Sequence, residues 1–313
     1  MIKILLIFIT LIFSSNIYAD PRLEADIKKL SKKNAFINSK GKEYKPDENI
    51  DKSKILLIVW SHGQLDGWGQ KTENCKASWN KVPPILKNIE KTNINGLEIR
   101  LYRVCSGVRG LRQKELDIYN DNYNTDIGME SIFQFKDKSG VRLIDKETYV
   151  RKPMVIKMKV NELLSQGFKN IVLAGHSAGA WDSINIIANN SNLVDGVIAF
   201  NPARHGKYAK ALKKNDVNKW WSQEREYKIS LLNLNNLKQP ILAYSHDGDD
   251  FSNPTTLSFL SKLDLVNFID YSSSDCEGQI MTGGDHGISI DKCFGNKVSR
   301  QNEIIDYLKS INF

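Results

Sequence analysis

From Ile55 onward the chain alternates short, mostly apolar runs with stretches in which apolar residues recur every three or four positions. The runs fall at 55–60, 97–104, 171–174, 194–200, 240–244 and 265–271. Runs of this length with few polar interruptions fit strands of a parallel sheet buried on both faces. A helix is predicted over 152–166, where Pro153 sits near the start, Ile156, Val160, Leu163 and Leu164 share one face, and Gly167 follows the end. Two more are predicted over 178–190 and 300–310, the last with Ile304, Leu308 and Ile311 on one stripe. The alternation predicts an α/β fold: a mostly parallel sheet of about six or more strands flanked by helices.

Three stretches depart from that alternation. Residues 20–53 are charged and without a clear period, a leader in which Ala35-Phe36-Ile37 is expected to pair as an edge strand. Residues 106–148 form a polar insertion, in which Ile132-Phe133-Gln134-Phe135 and Val141-Arg142-Leu143-Ile144 flank Lys136-Asp137-Lys138-Ser139-Gly140 as a hairpin would. Residues 203–238 read as helical and carry Trp220-Trp221. The main domain is thus 54–313, with two excursions and no internal repeat.

The first residues change the compartment. Lys3, an apolar core from Ile4 to Phe13 and the small-residue end Ser14-Ser15-Asn16-Ile17-Tyr18-Ala19 read as a secretory signal peptide, residues 1–19, cleaved before Asp20. An apolar core of about ten residues is half of what a membrane helix needs, so a stable membrane anchor is not expected. The exported, periplasmic or secreted, chain would meet oxidising conditions, under which its four cysteines can pair. Three pairings are possible. Local order favours Cys75 with Cys105 and Cys276 with Cys293, the second pair bracketing a loop that contains His286. No Cys-x-x-Cys spacing points to zinc. The formal net charge of +8 comes from lysines and arginines spread along the chain among acidic residues, a solvated surface rather than the clustered stripe that nucleic-acid binding requires.

Candidate chemistry centres on Gly175-His176-Ser177-Ala178-Gly179, directly behind the run at 171–174 and ahead of the helix predicted at 178. Small residues two before and two after a serine suit a sharp, strained strand-to-helix turn, because the flanking backbones pass closely there. Such a turn aims the backbone N–H of Ala178 toward a developing negative charge. Acyl transfer on serine also needs a base and a carboxylate to orient it. Asp249, in Ser245-His246-Asp247-Gly248-Asp249-Asp250, and His286, in Gly283-Gly284-Asp285-His286-Gly287, follow Ser177 in that order, each on a loop after a predicted strand. Upstream, the first run leads into Ser61-His62-Gly63-Gln64.

That last motif resembles the His-Gly oxyanion loop of the α/β-hydrolase superfamily, and the four motifs together, within about residues 54–311, resemble that superfamily far more specifically than any one alone. The resemblance implies an α/β-hydrolase fold with a small cap near 203–238, where Trp220 and Trp221 either line an entrance or anchor the cap. It implies Ser177 as nucleophile, His286 as base, Asp249 as acid, Gly175 and Gly179 as the elbow glycines, and the N–H groups of Gln64 and Ala178 as oxyanion donors. His246 is the fallback base. Because His246 stands where the superfamily's Gly-x-x-Asp pattern has its glycine, Asp247 and Asp250 remain alternative acids. His62 is expected to brace its loop by hydrogen bonding, His176 to pack against neighbouring strands, and Arg204 and His205 to sit at a surface cap hinge or to meet an anionic substrate group.

The activity implied is cleavage of a small-molecule or acyl ester through an acyl-serine. No cofactor is implied, since there is no Gly-rich nucleotide loop and no His-x-x-x-His metal spacing. A peptidase or acyltransferase on the same triad, or a non-catalytic envelope-binding protein of the same fold, remain the alternatives. The oligomeric state is left open.

Overall fold

The computed structural model describes residues 32–63, 81–106, 143–205, 225–271, 276 and 284–313. The expected signal segment, the first strand of the expected hairpin, Gln64, Cys75, Trp220 and Trp221 lie outside the described residues, as do most of the 106–148 insertion and of the 203–238 segment.

Among the described residues, nine strands form one sheet: β1 (Ala35–Ile37), β2 (Glu43–Tyr44), β3 (Ile55–Ser61), β4 (Asn93–Ile94), β5 (Leu97–Val104), β6 (Asn170–His176), β7 (Gly196–Phe200), β8 (Ile241–His246) and β9 (Val266–Tyr271). Their order is β2-β1-β5-β3-β6-β7-β8-β9, with β4 attached to β5. The six strands from β5 to β9 along this path are mutually parallel. β1, β2 and β4 pair antiparallel. The parallel sheet grows outward from β3 in both directions, so the carboxyl ends of β3 and β6 form a switch point, where open α/β sheets bind ligands. Register makes the two ends level, with Ser61 opposite Gly175. This strand order, with the elbow after β6, is the α/β-hydrolase fold that the motifs resemble.

The mostly apolar runs have a direct explanation. Successive side chains leave opposite faces of a strand, and both faces are covered. Ile55, Leu57 and Val59 join Leu173 and Ala243 on one face, under Ile156, Val160, Trp181 and Ile184. Leu56, Ile58 and Trp60 join Ala174 and Tyr244 on the other, under Ile85, Leu86, Ile304 and Leu308. The covering helices are α1 (Pro84–Asn88), α2 (Leu143–Ser165), α3 (Ala178–Asn189), α4 (Ser258–Ser261), α5 (Lys292–Asn296) and α6 (Val298–Ser310).

The structure differs from expectation at α2 and at β1. α2 starts at Leu143, so Leu143 and Ile144 are helical rather than the second hairpin strand, and Pro153 lies inside the helix rather than near its start. Two adjacent apolar residues do not distinguish strand from helix, and a proline removes one ladder hydrogen bond without always ending the helix. The leader strand β1 is not at the edge: Phe36 pairs with Tyr102 of β5 on one side and Tyr44 of β2 on the other. β2 is two residues long and polar, too short to carry a period. No helix among the described residues is long and apolar enough to cross a membrane.

Candidate active site

Ser177 joins β6 to α3 with φ 55° and ψ −122°. A positive φ is uncommon outside glycine, and here it is imposed from several sides. The Ser177 N–H donates to the Phe200 carbonyl at 3.0 Å, while its own carbonyl accepts from the N–H of Trp181 at 3.0 Å and of Ala203 at 3.2 Å. The elbow glycines are required by close approach: a Cβ on Gly175 would collide with the Gly179 backbone, and one on Gly179 with the carbonyls of Ser61 and His62. Gly63 is also close, since a Cβ there would stand 3.3 Å from Ser177 Cβ. Ala178 follows as the first residue of α3, where backbone N–H groups have no acceptor within the helix. Gln64, the other expected oxyanion donor, is outside the described residues.

Asp249 and His286 meet. The His286 Nδ1–H donates to Asp249 at 2.8 Å from Oδ2 and 3.0 Å from Oδ1. The carboxylate is fully buried and is held by three further donors: the N–H groups of Phe251 at 2.7 Å and Ser252 at 3.2 Å on Oδ1, and the Asn201 amide at 2.9 Å on Oδ2. Burial pushes the Asp249 pKa up. The hydrogen bond and charge of His286, with the Phe251 N–H and the Asn201 amide, outweigh burial and hold it below the ordinary carboxylate range. The orientation of Asn201 is fixed in turn, because its Oδ1 accepts from the Tyr271 hydroxyl at 2.8 Å and from the Ser289 hydroxyl.

With Nδ1 engaged as a donor, Nε2 of His286 is the basic nitrogen of the neutral ring. It is buried and makes no hydrogen bond among the described residues. The ring lies between Phe251, with centroids 4.3 Å apart, and His176, at 4.7 Å.

The other carboxylates are placed differently. The Asp247 side chain is 70% exposed and lies 3.3 Å from His246 Nδ1, and Asp250 is exposed. His246 is fully buried, but its Nδ1 accepts the Gly248 N–H at 3.0 Å and so, in the neutral ring, has no proton to offer a carboxylate. Among the described residues, no three His, Cys, Asp or Glu side chains converge to hold a metal ion.

His62 donates from Nδ1 to the Gly63 carbonyl at 2.7 Å. His176 reaches further than strand packing: its Nε2–H donates to the His286 carbonyl at 2.7 Å, tying the residue before Ser177 to the loop that carries the imidazole. Burial first, then nearby positive charge, lowers the pKa of each to about 3, so both are neutral near pH 7. Arg204 and His205 are not a surface hinge. Both are buried, Arg204 with its Nε 3.6 Å from Asp182 Oδ1 and His205 packed edge-on to Trp181.

Cys276 and Cys293 are joined in a disulfide across a sequence separation of 17, bracketing His286. Cys105 is disulfide-bonded as well, while Cys75 lies outside the described residues. Sequence reasoning missed Asn201, Lys152 and Asp182. Asp182 left a trace, as the one carboxylate in the otherwise apolar start of α3, whereas Asn201 and Lys152 left none.

No family model matches the sequence, and no curated protein matches it. Solved structures with a similar course of chain include an esterase of Pyrococcus furiosus, Pf2001 (13% identity, covering 83% of each chain, TM-score 0.45). They also include a monoacylglycerol lipase of Paleococcus ferrophilus (12% identity, covering 88% of this chain and 98% of that one, TM-score 0.43). A third is an acylaminoacyl peptidase of Pyrococcus horikoshii (14% identity, covering 82% of this chain and 37% of that one, TM-score 0.41). Likenesses this distant carry nothing about substrate or mechanism.

Proposed function

We propose that this protein is an exported serine hydrolase that cleaves a carboxylic ester through an acyl-serine intermediate. The observation that carries the reading is the pairing of His286 Nδ1 with a buried, fully hydrogen-bonded Asp249, which leaves the basic Nε2 without a hydrogen bond beside the elbow of Ser177. In the first step Ser177 Oγ attacks the ester carbonyl carbon as Nε2 of His286 takes the hydroxyl proton. The carbonyl oxygen becomes an oxyanion, for which the N–H of Ala178 at the start of α3 and that of Gln64 are the expected donors. The imidazolium then gives its proton to the departing alkoxide, releasing the alcohol. Water repeats the sequence on the acyl-serine, with the same nitrogen acting first as base and then as acid, and frees the carboxylic acid. Asp249 stays ionised throughout, keeping Nδ1 protonated and stabilising the imidazolium. Export rests on the first nineteen residues of the sequence.

A fluorophosphonate probe is expected to label Ser177, and Ser177→Ala to lower turnover of acyl p-nitrophenyl esters by about 10⁴-fold or more while the chain still folds. Capture of the probe at a different serine overturns the assignment. Faster cleavage of aminoacyl amides than of esters replaces the esterase reading with a peptidase.

A further inference from the structure

Lys152 projects from α2 into the protein, and its side chain is 4% exposed. An ammonium has three N–H donors; two backbone carbonyls accept from this one, and a carboxylate stands beside it as an ion-pair partner, all from two other parts of the chain. They are the His62 carbonyl at 2.6 Å, the Gly63 carbonyl at 3.2 Å and Asp182 Oδ2 at 3.4 Å. Asp182 is fully buried in α3, five residues after Ser177, and its second oxygen faces Arg204. The lysine thus ties the segment leaving β3 to the helix that begins at the nucleophile.

We infer that Lys152 is a positioning residue for the oxyanion loop, gripping the His62 and Gly63 carbonyls so that this segment keeps one course beside Ser177. The inference rests on the proposed serine-hydrolase reading. A peptide unit is planar, so a carbonyl fixed by two donors, Lys152 Nζ and His62 Nδ1, fixes the plane of the unit to which it belongs. A cation on the oxygen also draws electron density along the unit and strengthens its N–H as a donor.

Filling space does not explain this residue. A buried ammonium is expensive to desolvate, and an apolar side chain of the same length would pack there at lower cost. Burial draws the Lys152 pKa down to about 8, with Asp182 opposing and Arg204 adding to the fall. What methionine cannot do is grip two consecutive carbonyls.

The test compares Lys152→Met, Lys152→Arg and the double variant Lys152→Met/Asp182→Asn, which leaves no carboxylate stranded, with wild type and Ser177→Ala. Active sites are titrated with a fluorophosphonate. In Lys152→Met, kcat per titrated site for p-nitrophenyl butyrate is expected to fall about 10- to 100-fold, below the loss for deleting an oxyanion donor outright. KM should stay within about twofold, and affinity for a trifluoromethyl ketone, whose hemiketal oxygen occupies the oxyanion site, should fall by the same factor as kcat/KM. Lys152→Arg should recover part of the loss. If the single variant does not fold, the double variant decides. Wild-type kcat per titrated site in whichever Lys152→Met protein folds, or a loss of kcat with unchanged ketone affinity, overturns the inference. Activity persisting in Ser177→Ala would instead remove the serine-hydrolase reading on which it rests.

Discussion

Two histidines at the carboxyl edge of the sheet lie near aspartates, and the contrast between them shows what the proposed catalytic pair requires. His246 ends β8, fully buried, with the Asp247 carboxylate at 3.3 Å and that of Asp285 at 4.0 Å. By proximity it qualifies. Yet its Nδ1 is already spent as an acceptor for the Gly248 N–H, and both neighbouring carboxylates are well exposed to water. His286 has one carboxylate, fully buried, whose oxygens are held by Phe251, Ser252 and Asn201 so that it can face only one way. The backbone fixes the wrong tautomer at His246 and, through Asp249, the useful one at His286. Distance to a carboxylate is therefore the weaker criterion; the direction of the ring proton is the stronger.

The largest expected effect follows from that direction. Asp249→Asn can present its NH₂ to Nδ1 and turn the ring proton to Nε2, so turnover of a p-nitrophenyl ester should fall about 10⁴-fold, as the loss of such an acid does elsewhere. Asp247→Asn and Asp250→Asn should remain within a few-fold of wild type. Steady-state rates of the three purified variants break the comparison if Asp247→Asn is the inactive one.

A second expectation concerns His62 and His176, whose pKa values near 3 lie below the ordinary 6.5. Between those values the unfolded chain binds protons that the folded chain refuses. Protonation therefore favours the unfolded state, and stability falls as pH drops from about 6.5 toward 3. Asp249, held below its ordinary value, adds a loss of the same sign at the acidic end of that range. Urea midpoints measured across this interval should decline steeply. His176→Asn should reduce the slope by about one proton; an unchanged slope would mean that His176 is not refusing a proton in the folded state.

The sequence carried the frame of this site further than its fittings. The runs at 55–60 and 171–174 sit within β3 and β6 because both sheet faces are covered, which is a property of composition alone. Ser177 was legible because the turn that holds it demands glycine on either side. The acid was legible only as a preference: Asp249 was expected with Asp247 and Asp250 as alternatives, and the three look alike in sequence until the chain after β8 brings Asp249 under the amide of Asn201. Lys152 was legible only as part of a helix, since its partners His62 and Gly63 lie about ninety positions away and are backbone oxygens, which any residue type supplies. Pairings that depend on side-chain type leave marks in a sequence; those that depend on a carbonyl do not.

The left-handed backbone at Ser177 has a further consequence, for the relation between durability and function. A side chain held at φ 55° costs roughly 1–3 kcal/mol relative to a relaxed one. Glycine would relieve most of that, less the roughly 0.4–1 kcal/mol by which its freer unfolded chain opposes folding. Ser177→Gly should thus be inert toward esters and yet more resistant to urea than wild type, by about 1 kcal/mol, and a lower midpoint would show that the hydroxyl contributes more to the fold than the backbone strain removes. Selection for stability alone would erase this serine, so under the proposed function its positive φ is a cost kept for use.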